Sequence, residues 1–164
     1  TNQLDIGIVE GHFNDKQLIE EAFAEDSMVI VGSPEHELVR KEGKVEVRDI
    51  ENETWIVREH GSGTREATEK VFRFFEMKPA NLMHFSSTQP IKESVEAGLG
   101  ISLLSRWAIQ KELKYGDLKV INIKGLPLSR QFTIVTKSPF QTKTLEVFIS
   151  LLRNNKTLTT LVNR

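Results

Sequence analysis

Two short stretches carry residue types suited to holding a small polar ligand. Gly61-Ser62-Gly63-Thr64-Arg65 puts two hydroxyls and two glycines into five residues. Glu96-Ala97-Gly98-Leu99-Gly100-Ile101-Ser102-Leu103-Leu104-Ser105 sets small and hydroxyl-bearing residues between a helical and a strand pattern. In α/β folds, compact polar ligands are held at such junctions, where helix N-termini present free backbone N–H groups. Catalytic patterns are missing beside them. There is no Gly-x-Ser-x-Gly elbow and no phosphate loop ending in Lys-Ser/Thr, and Glu66 stands where a dinucleotide fingerprint needs its third glycine. No spacing pairs the carboxylates for acid–base work. The chemistry is binding, with no catalytic residues and no enzyme activity expected.

The histidines offer a second candidate pattern. His12, His36, His60 and His84 recur every 24 residues, but their flanks are unrelated and the spacing is read as coincidence. None forms a His-x-x-x-His pair on a helix, so neither a metal nor a cofactor is expected. His60, next to the Gly61–Thr64 turn, is the one histidine placed to line a ligand cleft.

Composition narrows the classes further. A chain of 164 residues fits one domain or two small lobes and buries enough surface to form a core without staples. Its net charge of -1 gives no basic footprint for nucleic acid. Cysteine is absent, which removes disulfides and thiolate chemistry and agrees with a reducing, cytoplasmic setting. No apolar run reaches the roughly 18 residues of a membrane span. Leu4, Ile6, Ile8 and Val9 read as a buried strand opening almost at residue 1, with no initiator methionine and no element before it. Such a strand needs neighbours, so upstream structure is expected to be missing.

The elements that would position these residues alternate. Leu18–Phe23 follows a polar stretch, and a strongly apolar strand runs from Ser27 to Val31. A charged stretch, 35–44, carries one helical turn, and another turn follows near Ile50. Trp55-Ile56-Val57 is a compact strand. An amphipathic helix spans Thr64–Met77, with Ala67, Val71, Phe74 and Phe75 on one face. Leu82–Phe85 reads as a strand, and Ser86-Ser87-Thr88 caps a helix with Pro90 in its first turn and Gly98 at its end. Ile101–Leu104 is a strand, Ser105 begins a helix carrying Trp107 and Leu113, and Leu118–Ile123 is a strand. After the break at Gly125-Leu126-Pro127, Gln131–Thr136 is a strand and Thr142–Asn154 the last helix, with Leu145, Phe148, Ile149 and Leu152 on one face. Both tryptophans read as packing residues, and Lys111, Lys114, Lys119 and Lys124 as a solvated face. Strands alternating with helices argue for α/β architecture with mostly parallel sheets.

Taken in order, Leu4–Glu10, the Gly61–Arg65 turn, Val95–Leu104 and Arg130–Thr136 resemble the effector-binding domain of LysR-type transcriptional regulators, over residues 4–153. The resemblance implies a type 2 periplasmic-binding-protein-like fold of two α/β lobes with two crossover strands and a ligand cleft. Residues 1–24 and 132–164 would form the first, incomplete lobe and residues 25–131 the second. The winged helix-turn-helix and the start of the first lobe would be lacking.

The resemblance also implies site residues. Glu10 and Gly11 match a cleft-lining position of the first lobe, Ser62, Gly63 and Thr64 match the second-lobe turn that contacts effectors, and Ser86, Ser87 and Thr88 would face the same cleft. Simpler roles stay open: Ser62, Thr64 and Ser86–Thr88 serve equally as helix caps, and Glu10 as a solvated strand end. The implied function is sensing a small-molecule metabolite within a cytoplasmic homodimer or homotetramer. DNA would be contacted only through the absent N-terminal domain, and no membrane is involved. The alternative is an extracytoplasmic solute-binding protein of the same fold feeding a transporter.

Overall fold

A computed structural model describes residues 6–10, 15, 17–137 and 142–154. The chain divides into two units, one made of Thr1–Asp26 with Ser129–Arg164, the other of Ser27–Leu128. The second unit is therefore a continuous stretch of chain inserted into the first.

In the inserted unit, β3 (Thr54–Arg58) and β4 (Asn81–Phe85) pair in parallel, from Thr54 opposite Asn81 to Arg58 opposite Phe85. A parallel bridge from Trp55 to Ile101 leads to β5 (Ser102–Ser105). Trp55, Ile56 and Val57 are all buried, because helices cover both faces of this strand. On one face Trp55 and Val57 pack with Ala67 and Val71 of α3 (Gly63–Phe74). On the other, Ile56 packs with Ile91 and Val95 of α4 (Thr88–Glu96). The indole N–H of Trp55 donates to the Ile50 carbonyl at 2.7 Å, so this buried ring leaves no polar atom unpaired. Two short helices precede β3, α1 (Glu37–Arg40) and α2 (Val47–Glu51).

The expectation of mostly parallel sheets applies to these helix-linked strands. Three further ladders are antiparallel, those of Ile6–Glu10 with Leu128–Lys137 and of Leu18–Gly32 with Ser102–Ser105 and with Lys119–Val120. They involve β1 (Ile6–Glu10), β2 (Leu18–Gly32), β6 (Lys119–Val120) and β7 (Leu128–Lys137). β7 lies between β1 and β2, and β2 also pairs with β5 and β6. β2 is one strand of 15 residues, joining the stretches read separately as Leu18–Phe23 and Ser27–Val31. β2 and β7 carry the chain into and out of the inserted unit.

Several boundaries differ from the sequence reading; β7, for one, opens at Leu128, three residues ahead of Gln131. α3 stops at Phe74 rather than Met77, because Glu76 takes a left-handed φ of 55° and the Met77 N–H turns back to the Phe72 carbonyl at 2.8 Å. Ser105 ends β5 and caps a turn; the helix after it, α5 (Gln110–Tyr115), begins beyond Trp107. The strand expected over Leu118–Ile123 is only Lys119–Val120. Gly98 ends α4 as expected, at φ 77°, with the Leu99 N–H on the Ser94 carbonyl and its own N–H on Val95. In the other unit, α6 (Lys143–Asn154) buries Leu145 and Ile149, while Phe148 is exposed.

Candidate functional site

Parallel pairing makes β3 and β4 end together, and each leads directly into a helix. The Glu59 N–H extends the ladder by one bond, to the Phe85 carbonyl at 3.0 Å. The loops 59–62 and 86–87 therefore leave neighbouring strand ends, with α3 and α4 starting from the same edge. Carboxyl edges of parallel strands are where open α/β sheets receive ligands.

Ser62 is the N-cap of α3, its Oγ accepting the Arg65 N–H at 3.0 Å. Gly63 opens the helix and is exposed, and Thr64 is half-buried. Arg65 is buried beneath them, its Nε on Glu69 at 2.7 Å and its Nη1 on the Arg58 carbonyl at 3.4 Å. The same Nη1 stands 3.3 Å from His84 Nδ1; a guanidinium only donates, so this ring nitrogen accepts. Arg65 thus ties the start of α3 to both strand ends.

Across the edge, Ser86 and Ser87 are exposed and Thr88 is half-buried. Ser87 occupies the N-cap of α4 without making a side-chain cap bond. His60 is exposed, 3.5 Å from a Glu69 oxygen and 6.4 Å between ring centroids from His84. The even histidine spacing did not foreshadow that proximity; the parallel pairing of β3 and β4 produces it. Glu10 closes β1 in the other unit, opposite Phe132, and Gly11 and His12 lie outside the described residues.

Arg58 escaped the sequence reading. It closes β3 and reaches across the edge, its Nη1 donating to Thr88 Oγ1 at 3.3 Å. Its Nε and Nη2 donate to the two oxygens of Glu59 at 2.9 and 2.8 Å. The Arg58 guanidinium draws the Glu59 carboxyl down from 4.5 to about 2. The only local signal was an Arg-Glu pair directly ahead of the glycine-rich turn.

The profile of the LysR substrate binding domain matches residues 1–157. The chain belongs to that family. The Bacillus subtilis HTH-type transcriptional regulator CysL is 38% identical over 156 residues, covering 93% of this chain and 51% of CysL. The Synechocystis HTH-type transcriptional activator CmpR is 40% identical over 113 residues, 69% of this chain and 37% of CmpR. The chain thus spans about half or less of these two relatives. Among solved structures, the Synechocystis CcmR regulatory domain in complex with 2-PG superposes at a TM-score of 0.77. That match has 24% identity and covers 93% of this chain and 73% of CcmR's. The fold of this LysR substrate-binding domain is accordingly periplasmic-binding-protein-like, type 2.

Proposed function

We propose that this domain holds a small-molecule effector at the carboxyl edge of β3 and β4, through Ser62, Gly63, Thr64, Ser86, Ser87 and Thr88. One observation carries the reading: α3 and α4 both start from that edge, and Arg58 spans it to Thr88. His60 flanks the site, and Glu10 and Gly11 enter the proposal on the family resemblance alone. The parent protein would be a cytoplasmic, homo-oligomeric, DNA-binding transcriptional regulator, and effector binding would bias one assembly state over another. The regulators CysL and CmpR support this reading over a transporter's solute-binding protein or an enzyme.

CcmR's complex makes 2-PG the first compound to titrate. The test is calorimetric titration of the full chain and of a Ser62→Ala/Thr64→Ala variant. Weakened binding by the variant is expected, beyond what its loss of stability explains. Unchanged affinity would remove these residues from the site.

A further inference from the structure

Arg58 is held in place by a group that a ligand can replace. Glu59 follows it in sequence, and the two side chains face each other edge to edge, both Glu59 oxygens on Nε and Nη2. The Glu59 side chain is 44% exposed and that of Arg58 only 20%. The carboxylate therefore has room to swing into solvent, whereas the guanidinium is held by packing and by Thr88. The Nε–Nη2 edge presents two parallel N–H groups, and both are taken by the Glu59 oxygens. Such a fork matches a carboxylate or phosphate bidentately.

Resting on the site proposed above, we propose that Arg58 recognises an anionic group of the effector and that Glu59 is a built-in competitor for it. Charge selection would then occur by exchange: a ligand carboxylate or phosphate takes the guanidinium edge as Glu59 leaves. A neutral ligand cannot replace Glu59, because it offers no charge to balance Arg58. With its pKa drawn down to about 2 by Arg58, Glu59 is ionised throughout the neutral range, so the competition is present there.

The test uses the full chain with inorganic phosphate and 2-PG as probes. Affinity is measured for the wild type, Glu59→Gln, Arg58→Gln and the double variant, with melting temperatures as a check on folding. Removing the competitor should tighten binding by about tenfold, and removing the guanidinium should weaken it by about tenfold or more. The double variant should bind no better than Arg58→Gln. Unchanged or weaker binding by folded Glu59→Gln would overturn the competitor role.

Backbone amide shifts of Gly63, Thr64 and Thr88 separate this inference from the site itself. If the probes move those amides while Glu59→Gln binds no tighter, the site stands and the exchange is wrong. If neither probe moves them in the wild type or in Glu59→Gln, both readings fall.

Discussion

Arg130 grips a single oxygen of Asp26. Its Nε and Nη2 approach Oδ2 at 2.8 and 2.7 Å, while Oδ1 is buried without a partner among the described residues. Asp26 is 2% exposed, so removing Arg130 leaves a shielded carboxylate without its counter-charge. Arg130→Met should cost about 3–5 kcal/mol, whereas adding Asp26→Leu to it should recover most of that loss. Urea denaturation reads both. A single variant within about 1 kcal/mol of wild type would show that the pair contributes no more than a surface bridge.

A Cβ on Gly100 would collide with the Thr54 carbonyl, the group that accepts the Ile101 N–H at 2.9 Å. Backbone on both sides prevents relief, so Gly100→Ala should cost about 3 kcal/mol or more. Gly61 is the control. It has open space around it and only a left-handed φ of 88°, for which Gly61→Ala should cost about 1 kcal/mol. Equal losses of melting temperature in the two variants would contradict this ranking.

Ser62 and Ser87 hold the same N-cap position on α3 and α4, but only Ser62 makes the cap bond. Ser62→Ala should destabilise the chain by about 1 kcal/mol, and Ser87→Ala by less than about 0.5 kcal/mol. Thermal melts should therefore separate the two. A loss at Ser87 matching that at Ser62 would mean that its hydroxyl caps α4 in solution.

Arg58 lowers the folded-state pKa of Glu59 to about 2, against 4.5 for an ordinary glutamate. The unfolded chain therefore takes up this proton first as pH falls. The stabilisation is whole above about 4.5 and lost as pH drops toward 2. Glu69 is shifted in the same direction by its bond to Arg65, and Asp49 by its bond to Lys41. Carboxyl-carbon NMR should place the Glu59 midpoint near 2, with stability declining across that interval. A midpoint at the ordinary value would dissolve the Arg58–Glu59 pair in solution.

The sequence is most readable where several local preferences agree. Trp55-Ile56-Val57 is an unbroken apolar run because both faces are covered, and Ala67 and Val71 mark the buried stripe of α3. Phe74 belongs to the same spacing yet is 68% exposed, because the helix ends there. That end was unreadable: at α4 the left-handed residue is Gly98, a recognisable stop, but at α3 it is Glu76. The continuity of β2 was hidden by Glu25 and Asp26, which interrupt the apolar pattern between its halves, and by Glu20 and Glu21 within the first. At the candidate site, Ser62, Gly63 and Thr64 stand out by residue type alone. Arg58 does not, since a single arginine at a strand end looks like a solvated charge. Its meaning comes from the pairing with β4, which brings Thr88 within reach from thirty positions away.

The nesting of one unit inside the other also sets an order of assembly. Residues 27–128 contain the three parallel-bonded strand segments found among the described residues and the helices that cover them, so this part has its partners at hand as soon as Leu128 has been synthesised. β1 does not. Its described ladder is with β7, from Ile6 opposite Thr136 to Glu10 opposite Phe132, and nearly the whole chain lies between the two strands. Closing so long a loop is slow compared with forming local contacts. On the ribosome, the β1–β7 ladder is therefore among the last of the described pairings to form, after the inserted unit already has its own contacts.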